Sequence, residues 1–340
     1  MSLYLHGLGH FHPENEITNL FLESLDIGTN EDWIMERVGI RSRRTSLPLD
    51  YIRETRNCDP RVGIEAADYS NAEMGRRAGE LALERAGISA DQIGMVIAGG
   101  CAPDFAIPAE AARMADLLGI EAPCMDVASA CTSFFAAVNL LSMMDPQKLP
   151  EFVLVVASEV MTRTVDYRDR NSAVLWGDAS AAAVLSARVP GRATLEGSDL
   201  ASSPAGHAKV VIPRVGFFDQ DGRAVQMFAI KKTVAGLRQL QGEFSDPDRS
   251  FHFVGHQANL RMLENVCRKC DIKDEFHHFN VDWYGNTGAA SGISVVSMHW
   301  DKWLPKDDIG LVGVGSGLTW GRYLVRMGTH EERTTEGINA

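Results

Sequence analysis

A thiol, an imidazole, a carboxamide and a glycine-rich loop stand in this sequence where apolar runs end and helical patterns begin. Cys131 closes the run Asp126-Val-Ala-Ser-Ala-Cys131, and an Ala- and Leu-rich apolar segment without Gly or Pro continues to Met144. This spacing predicts a thiol in the first turn of a buried helix, where unpaired N–H groups and the positive end of the helix dipole favour thiolate over thiol. A small core cysteine beneath a helix fits the same pattern. His256 follows the predicted strand 251–255 and opens a helical pattern, copying the placement of Cys131. A helix start disfavours imidazolium and leaves a neutral ring that donates or accepts near a reacting atom, although a capping or packing histidine reads alike. Asn286, in the turn Tyr284-Gly-Asn-Thr-Gly-Ala-Ala-Ser-Gly292, offers an amide donor to a developing oxyanion, or an ordinary N-cap. Gly313-Val-Gly-Ser-Gly-Leu-Thr-Trp-Gly321 permits close backbone approach with N–H groups as oxyanion donors, and a structural hairpin has the same composition.

The elements that must position these groups alternate. Residues 3–8 read as a strand, 30–37 as a helix capped by Asn30, 71–86 as a helix stopped by Gly87, and 93–98 as a buried strand. Residues 109–118 read as a helix after Pro108, and 122–127 as the strand that leads to Cys131. The unbroken apolar runs 152–157 and 179–186 predict strands covered on both faces. Residues 48–70 keep no sustained period and read as an excursion or loop. Past Pro190 a similar order returns, with helix 223–240, strand 251–254, helices 257–270 and 289–303, and strand 309–314. Such alternation predicts an α/β layered protein whose reactive groups gather at strand ends and helix starts. Two architecturally similar halves are expected, 1–186 carrying the cysteine and 187–340 carrying the histidine and asparagine.

Composition narrows the partners. The 33 Lys+Arg against 45 Asp+Glu leave a net charge of −12, which disfavours nonspecific attraction to nucleic acid or anionic membrane. No stretch of roughly 18 uncharged apolar residues occurs, and the start lacks a basic segment followed by an apolar run, so a cytoplasmic protein is expected. Six unevenly spaced cysteines do not form a disulfide framework, and Cys267 with Cys270 lacks the second ligand pair that zinc requires. Arg41, Arg43 and Arg44 form a basic knot that reads as solvated surface.

The separate features gain meaning in their order. Glu31-Asp-Trp-Ile-Met-Glu-Arg-Val-Gly-Ile-Arg-Ser-Arg-Arg44, Asp126-Val-Ala-Ser-Ala-Cys131, Ser158-Glu-Val-Met-Thr-Arg163, Trp176-Gly-Asp178, Gly255-His-Gln-Ala-Asn-Leu-Arg261, Gly285-Asn-Thr-Gly-Ala-Ala-Ser291 and Gly317-Leu-Thr-Trp-Gly321 follow one another along most of the chain. In these motifs the sequence resembles the β-ketoacyl-acyl-carrier-protein synthase III group of the thiolase superfamily. The resemblance implies a five-layered αβαβα thiolase-like fold, a homodimer, and a Cys131, His256, Asn286 triad. Cys131 would take an acyl group from an acyl thioester, with its own N–H and one from Gly315-Ser316-Gly317 as the oxyanion hole. Malonyl on an acyl carrier protein would then lose CO2 beside His256 and Asn286, and its carbanion would attack the acyl-cysteine. No metal or redox cofactor is implied, since acyl-CoA and acyl carrier protein are the substrates.

By the same likeness Trp33 and Arg163 sandwich the adenine of coenzyme A, while Arg37 and Arg261 meet its phosphates. Three departures stand out. Ser316 replaces the middle glycine of a usual Gly-Gly-Gly, Gly288 stands where serine is common, and Ile107 replaces an aromatic that closes the partner's acyl pocket. The last implies acyl donors longer than acetyl. Two alternatives keep the fold: an acyltransferase or ketosynthase of secondary metabolism that uses a β-ketoacyl, alcohol or amine acceptor, and a silent acyl-binding partner subunit.

Overall fold

Apolar runs without polar alternation form strands covered on both faces, and two of them lie side by side in the interior of the sheet. The computed structural model describes residues 1–328, so residues 329–340 of the expected second half lie outside the described residues. Its principal strands are β1 Leu3–Phe11, β2 Ile93–Gly99, β3 Cys124–Asp126, β4 Phe152–Glu159, β5 Ala179–Ser186, β6 Ala193–Ser202, β7 Ser250–Gly255, β8 Asp307–Gly315 and β9 Thr319–Met327. They form one sheet in the order β7-β8-β9-β6-β1-β5-β4-β2-β3. β4 and β5 are buried at every position, as their composition predicts.

The sheet is parallel at its ends and antiparallel in the middle. β3, β2 and β4 run parallel, as do β7 and β8. The pairs β4 with β5, β5 with β1, β1 with β6, β6 with β9 and β9 with β8 are antiparallel. β1 pairs with β6 only through Leu3, Tyr4 and Leu5, so two sheet portions meet at a narrow seam. The expected divide near Ala187 falls between β5 and β6.

Seven helices position the site: α1 Glu31–Arg37, α2 Asn71–Ala86, α3 Glu110–Leu118, α4 Ser133–Met143, α5 Gly222–Phe244, α6 Leu260–Cys270 and α7 Ser291–Met298. Asn30 caps α1 by accepting from the Trp33 N–H at 2.9 Å. Phe134 and Val138 of α4 and Ile293 and Val296 of α7 share one core with Leu5 and Val155 on one side and Ile309 and Val325 on the other. Helices α2 and α3 cover the outer face of the β2–β4–β5 portion. Helices α5 and α6 cover the outer face of β7–β9. The layers therefore read helix, sheet, helix, sheet, helix, the αβαβα arrangement expected.

Two local expectations change. The 289–303 helix is shorter, with α7 flanked by tight turns at Gly288–Ala290 and Trp300–Lys302. The 48–70 stretch holds two short helices, Leu49–Thr55 and Val62–Ala66. Between them the buried Asn57 donates to the carbonyls of Arg163 and Val165 at 2.9 and 2.8 Å, docking the excursion onto the segment after β4. That anchor is tertiary, which is why no period marks it.

The basic knot is not a solvated cluster. Arg43 is fully buried and donates to Val174 O (3.0 and 2.6 Å), Asn19 Oδ1 (2.6 Å) and Ile40 O (3.5 Å). Burial pushes its guanidinium down to about 9. Arg41 is exposed over the Trp283 ring. Arg43→Ala strands several buried acceptors and is expected to lower the unfolding free energy by about 3 kcal/mol or more. Arg41→Ala should cost less than about 1 kcal/mol, and urea unfolding of the two variants makes the comparison.

Candidate active site

Three neighbouring parallel strands deliver the first set of groups: Cys131 follows β3, Cys101 follows β2, and Glu159 ends β4. After Asp126 the chain turns sharply, with Ala130 in the left-handed region at φ 47°. A β-carbon makes that conformation costly, so the surroundings must hold it. The Ser133 hydroxyl does so by accepting from the Ser129 N–H at 2.9 Å and donating to Ala130 O at 2.7 Å. Cys131 lies in the tight turn Ala130–Thr132 that runs straight into α4, two residues ahead of the first α-helical residue, Ser133.

The Cys131 Sγ lies 3.7 Å from the Cys101 Sγ. The Cys101 thiol donates to it and holds Cys131 well below the ordinary thiol range; burial opposes this, and the charge and hydrogen bond of His256 reinforce it. Cys101 is pushed well above that range by the same sulfur–sulfur bond, then by burial and by the Cys131 and Glu159 charges. Of the two sulfurs, Cys101 thus holds a proton the more tightly and Cys131 is the one favoured as thiolate. His256 stands ahead of its helix rather than opening it, because α6 begins at Leu260 with Asn259 as its cap. Its orientation comes from bonds instead: its N–H donates to Val312 O at 2.9 Å, and its Nδ1 lies 2.9 Å from the Ser291 hydroxyl.

Asn286 is placed by Trp176-Gly-Asp178. The Gly177 N–H donates to Asn286 O at 3.0 Å and the Asn286 N–H to Leu175 O at 2.8 Å. Its Oδ1 accepts from the Gly288 N–H at 3.0 Å, which leaves Nδ2 as the donor end. The Glu159 carboxylate accepts from the Cys101 N–H at 3.0 and 2.9 Å and from the Ala289 N–H at 2.8 Å. Burial nevertheless raises it to about 8, against those donors and with help from the Cys131 charge. Gly315 comes so close to the nucleophile that a Cβ on it would stand 3.2 Å from the Cys131 nitrogen.

A cavity of about 690 Å³ is lined by Cys131, His256, Asn286, Gly315 and Ser316 and also by Trp33, Arg37 and Arg223. Arg37 and Arg170 lie 5.5 and 4.8 Å from the Trp33 ring centroid. Arg163 does not face Trp33. It is buried and pairs with Asp104 at 2.6 Å, so the second guanidinium on that indole is Arg170. Arg261 is outside the wall, donating to Met35 O at 3.2 and 2.9 Å and pairing with Glu264. Ile107 is 84% exposed and touches no part of its own chain's cavity. Cys267 and Cys270 are buried, and burial drives the Cys267 thiol up to about 12.

Residues 125–204 match 3-oxoacyl-[acyl-carrier-protein (ACP)] synthase III, and residues 246–327 match the C terminal of the same enzyme. β-Ketoacyl-[acyl-carrier-protein] synthase III of Oceanobacillus iheyensis is 30% identical over 335 residues, which cover 96% of this chain and all of the relative. The chain belongs to the synthase III family. The crystal structure of 3-oxoacyl-(acyl carrier protein) synthase III from Pseudomonas aeruginosa PAO1 has a TM-score of 0.83 at 28% identity, covering 96% of this chain and 99% of its own. The synthase III structure from Aquifex aeolicus VF5 shares the fold with a TM-score of 0.84 at 24% identity, covering 95% and 99%.

Within this synthase III chain, two departures from the usual motifs have physical reasons. A Cβ on Gly288 would stand 2.5 Å from Glu159 Oε1, and the residue sits at φ 54°, so glycine is what lets Glu159 reach the turn. The Ser316 hydroxyl donates to Val210 O at 2.6 Å and so has a partner of its own. Sequence reasoning passed over Cys101, Glu159 and Arg170. The first two carry a signal in principle, because Cys101 follows the buried strand next to β3 and Glu159 ends the buried strand after that one.

The raised Glu159 carboxyl also sets a sign for stability. Below about pH 4.5 it is neutral folded and unfolded; between that value and about 8 only the folded chain keeps the proton, so rising pH removes stability. Relative to Glu159→Gln, the wild type should lose on the order of 4 kcal/mol of unfolding free energy from pH 5 to 8. Parallel urea titrations at several pH values measure that difference, and a constant one overturns the assignment.

Proposed function

We propose that this synthase III condenses an acyl group held on Cys131 with malonyl-acyl carrier protein, with loss of CO2. The observation that carries the reading is the convergence of Cys131, His256 and Asn286 on one cavity whose wall also bears Trp33 and Arg37. The Cys131 thiolate attacks the thioester carbonyl of an acyl-CoA. The tetrahedral oxyanion takes hydrogen bonds from the Cys131 N–H and from the Gly315-Ser316 loop, and its collapse expels the CoA thiolate. The Ser291 hydroxyl lies 2.9 Å from His256 Nδ1, and as the donor in that bond it keeps the imidazole proton on Nε2. His256 Nε2 and Asn286 Nδ2 then hold the malonyl thioester oxygen as CO2 departs, and the carbanion attacks the acyl-cysteine and frees the thiolate.

Trp33 with Arg37 and Arg170 binds the adenine end of CoA, and Arg261 meets a phosphate when it exchanges Glu264 for the ligand. No metal or redox cofactor takes part in this scheme. The protein works in the cytoplasm as a homodimer. Support for the dimer comes from β3, a free sheet edge whose Met125 is exposed, and from the exposed apolar side chains of Phe105 and Ile107. No described helix is long and apolar enough to cross a membrane. Ile107, lacking an aromatic ring, admits acyl donors longer than acetyl into the partner's pocket.

Incubation with malonyl-acyl carrier protein and acyl-CoA should release CO2, with a higher kcat/KM for octanoyl-CoA than for acetyl-CoA. Cys131→Ser should abolish the acyl adduct seen by mass spectrometry and reduce turnover by at least about a thousandfold. Product formed without CO2 would instead mark a simple acyl transferase.

A further inference from the structure

The condensation scheme gives Cys101 no bond to make or break, yet its sulfur is the nearest sulfur to the nucleophile at 3.7 Å. We propose that Cys101 and Cys131 form a reversible oxidative modification site: a hydroperoxide oxidises Cys131, and Cys101 resolves it as an intramolecular disulfide. Three observations on the structure support this.

The first is reach. A 3.7 Å sulfur–sulfur contact must shorten by less than about 2 Å to reach bonding distance. Cys101 lies in the irregular segment between β2 and α3, just past Gly99 and Gly100, where a small adjustment disturbs no strand ladder. The second is access. Cys131 lines the open cavity and is a partly exposed residue, so a small peroxide reaches it, whereas Cys267 and Cys270 are buried. The third is the distribution of protons. Cys131 is the sulfur favoured as thiolate, the form that attacks a peroxide, while Cys101 holds its proton more tightly. The Glu159 carboxylate fixes the Cys101 backbone at both oxygens and so keeps the resolving thiol in register.

The chemistry balances without another reagent. The Cys131 thiolate takes the terminal oxygen of the hydroperoxide, the O–O bond breaks, and the alkoxide or hydroxide leaves and takes up a solvent proton. The Cys101 sulfur then attacks the sulfenic sulfur, the S–S bond forms as the S–O bond breaks, and the hydroxyl leaves as water with the Cys101 proton. In sum, two thiols and a hydroperoxide give a disulfide, an alcohol or water, and a further water. A dithiol reverses it by exchange. The disulfide silences the nucleophile and keeps it from irreversible oxidation to the sulfinic acid.

The test treats the full-length protein with hydrogen peroxide and follows both mass and activity. The wild type should lose the mass of two hydrogens. The tryptic fragment 86–113, which carries Cys101, should become linked to fragment 114–148, and fragmentation should place the bond on Cys131 rather than Cys124. Dithiothreitol should return its activity to the starting level. In Cys101→Ser and Cys101→Ala, each compared with its own untreated rate, the loss should persist after dithiothreitol, with two oxygens added on Cys131. Wild-type protein that acquires a sulfinic Cys131 and no 101–131 link overturns the proposal, as does a wild-type inactivation no more reversible than that of the variants. The mass readouts stand whatever acceptor the enzyme uses.

Discussion

One buried carboxyl joins the parts of this active site. Glu159, at the end of β4, accepts N–H bonds from the Cys101 segment on one side and from Ala289 in the asparagine turn on the other. A carboxyl so far from water is costly unless its oxygens are hydrogen-bonded, so the two segments are drawn to it and their spacing is fixed. Gly288 is the concession that makes room. The same group sits beside the Cys101–Cys131 pair, and its raised proton affinity reflects burial first and the neighbouring Cys131 charge second.

The nucleophile and its partners come from different sheet portions. Cys131 stands after β3, whereas His256 follows β7, Asn286 precedes α7 and Ser316 follows β8. They meet because α4 and α7 share the middle layer and because the Cys131 turn is clamped to the other portion. The Thr132 and Thr319 hydroxyls lie 2.7 Å apart, and Gly315 approaches the Cys131 nitrogen. The apolar middle layer therefore does more than stabilise the fold: it sets the distance at which a thiolate faces an imidazole and an amide.

Arginine roles show how burial changes a reading made from charge alone. Arg43 looked like one of three solvated cations and is instead a core donor to three acceptors. Arg163 sits in a family motif and pairs with the buried Asp104, while Arg170, which no motif singled out, lies over Trp33. A guanidinium with five donors satisfies interior carbonyls as readily as it stacks on an indole, and composition cannot say which.

The sequence by itself determined the layer order, because runs such as 152–157 and 179–186 are apolar or small at every position and only strands between two helical layers bury both faces. It also marked Cys131, His256 and Asn286, since a polar group at a strand end stands out against such runs. It could not show that His256 takes its orientation from Ser291 rather than from a helix start, that the 48–70 excursion folds onto the segment after β4, or that Cys101 faces Cys131. Those depend on contacts between residues 30 or more positions apart. Only the packing of the middle helices between two sheet portions brings such residues together, and local pattern holds no record of a distance across the fold.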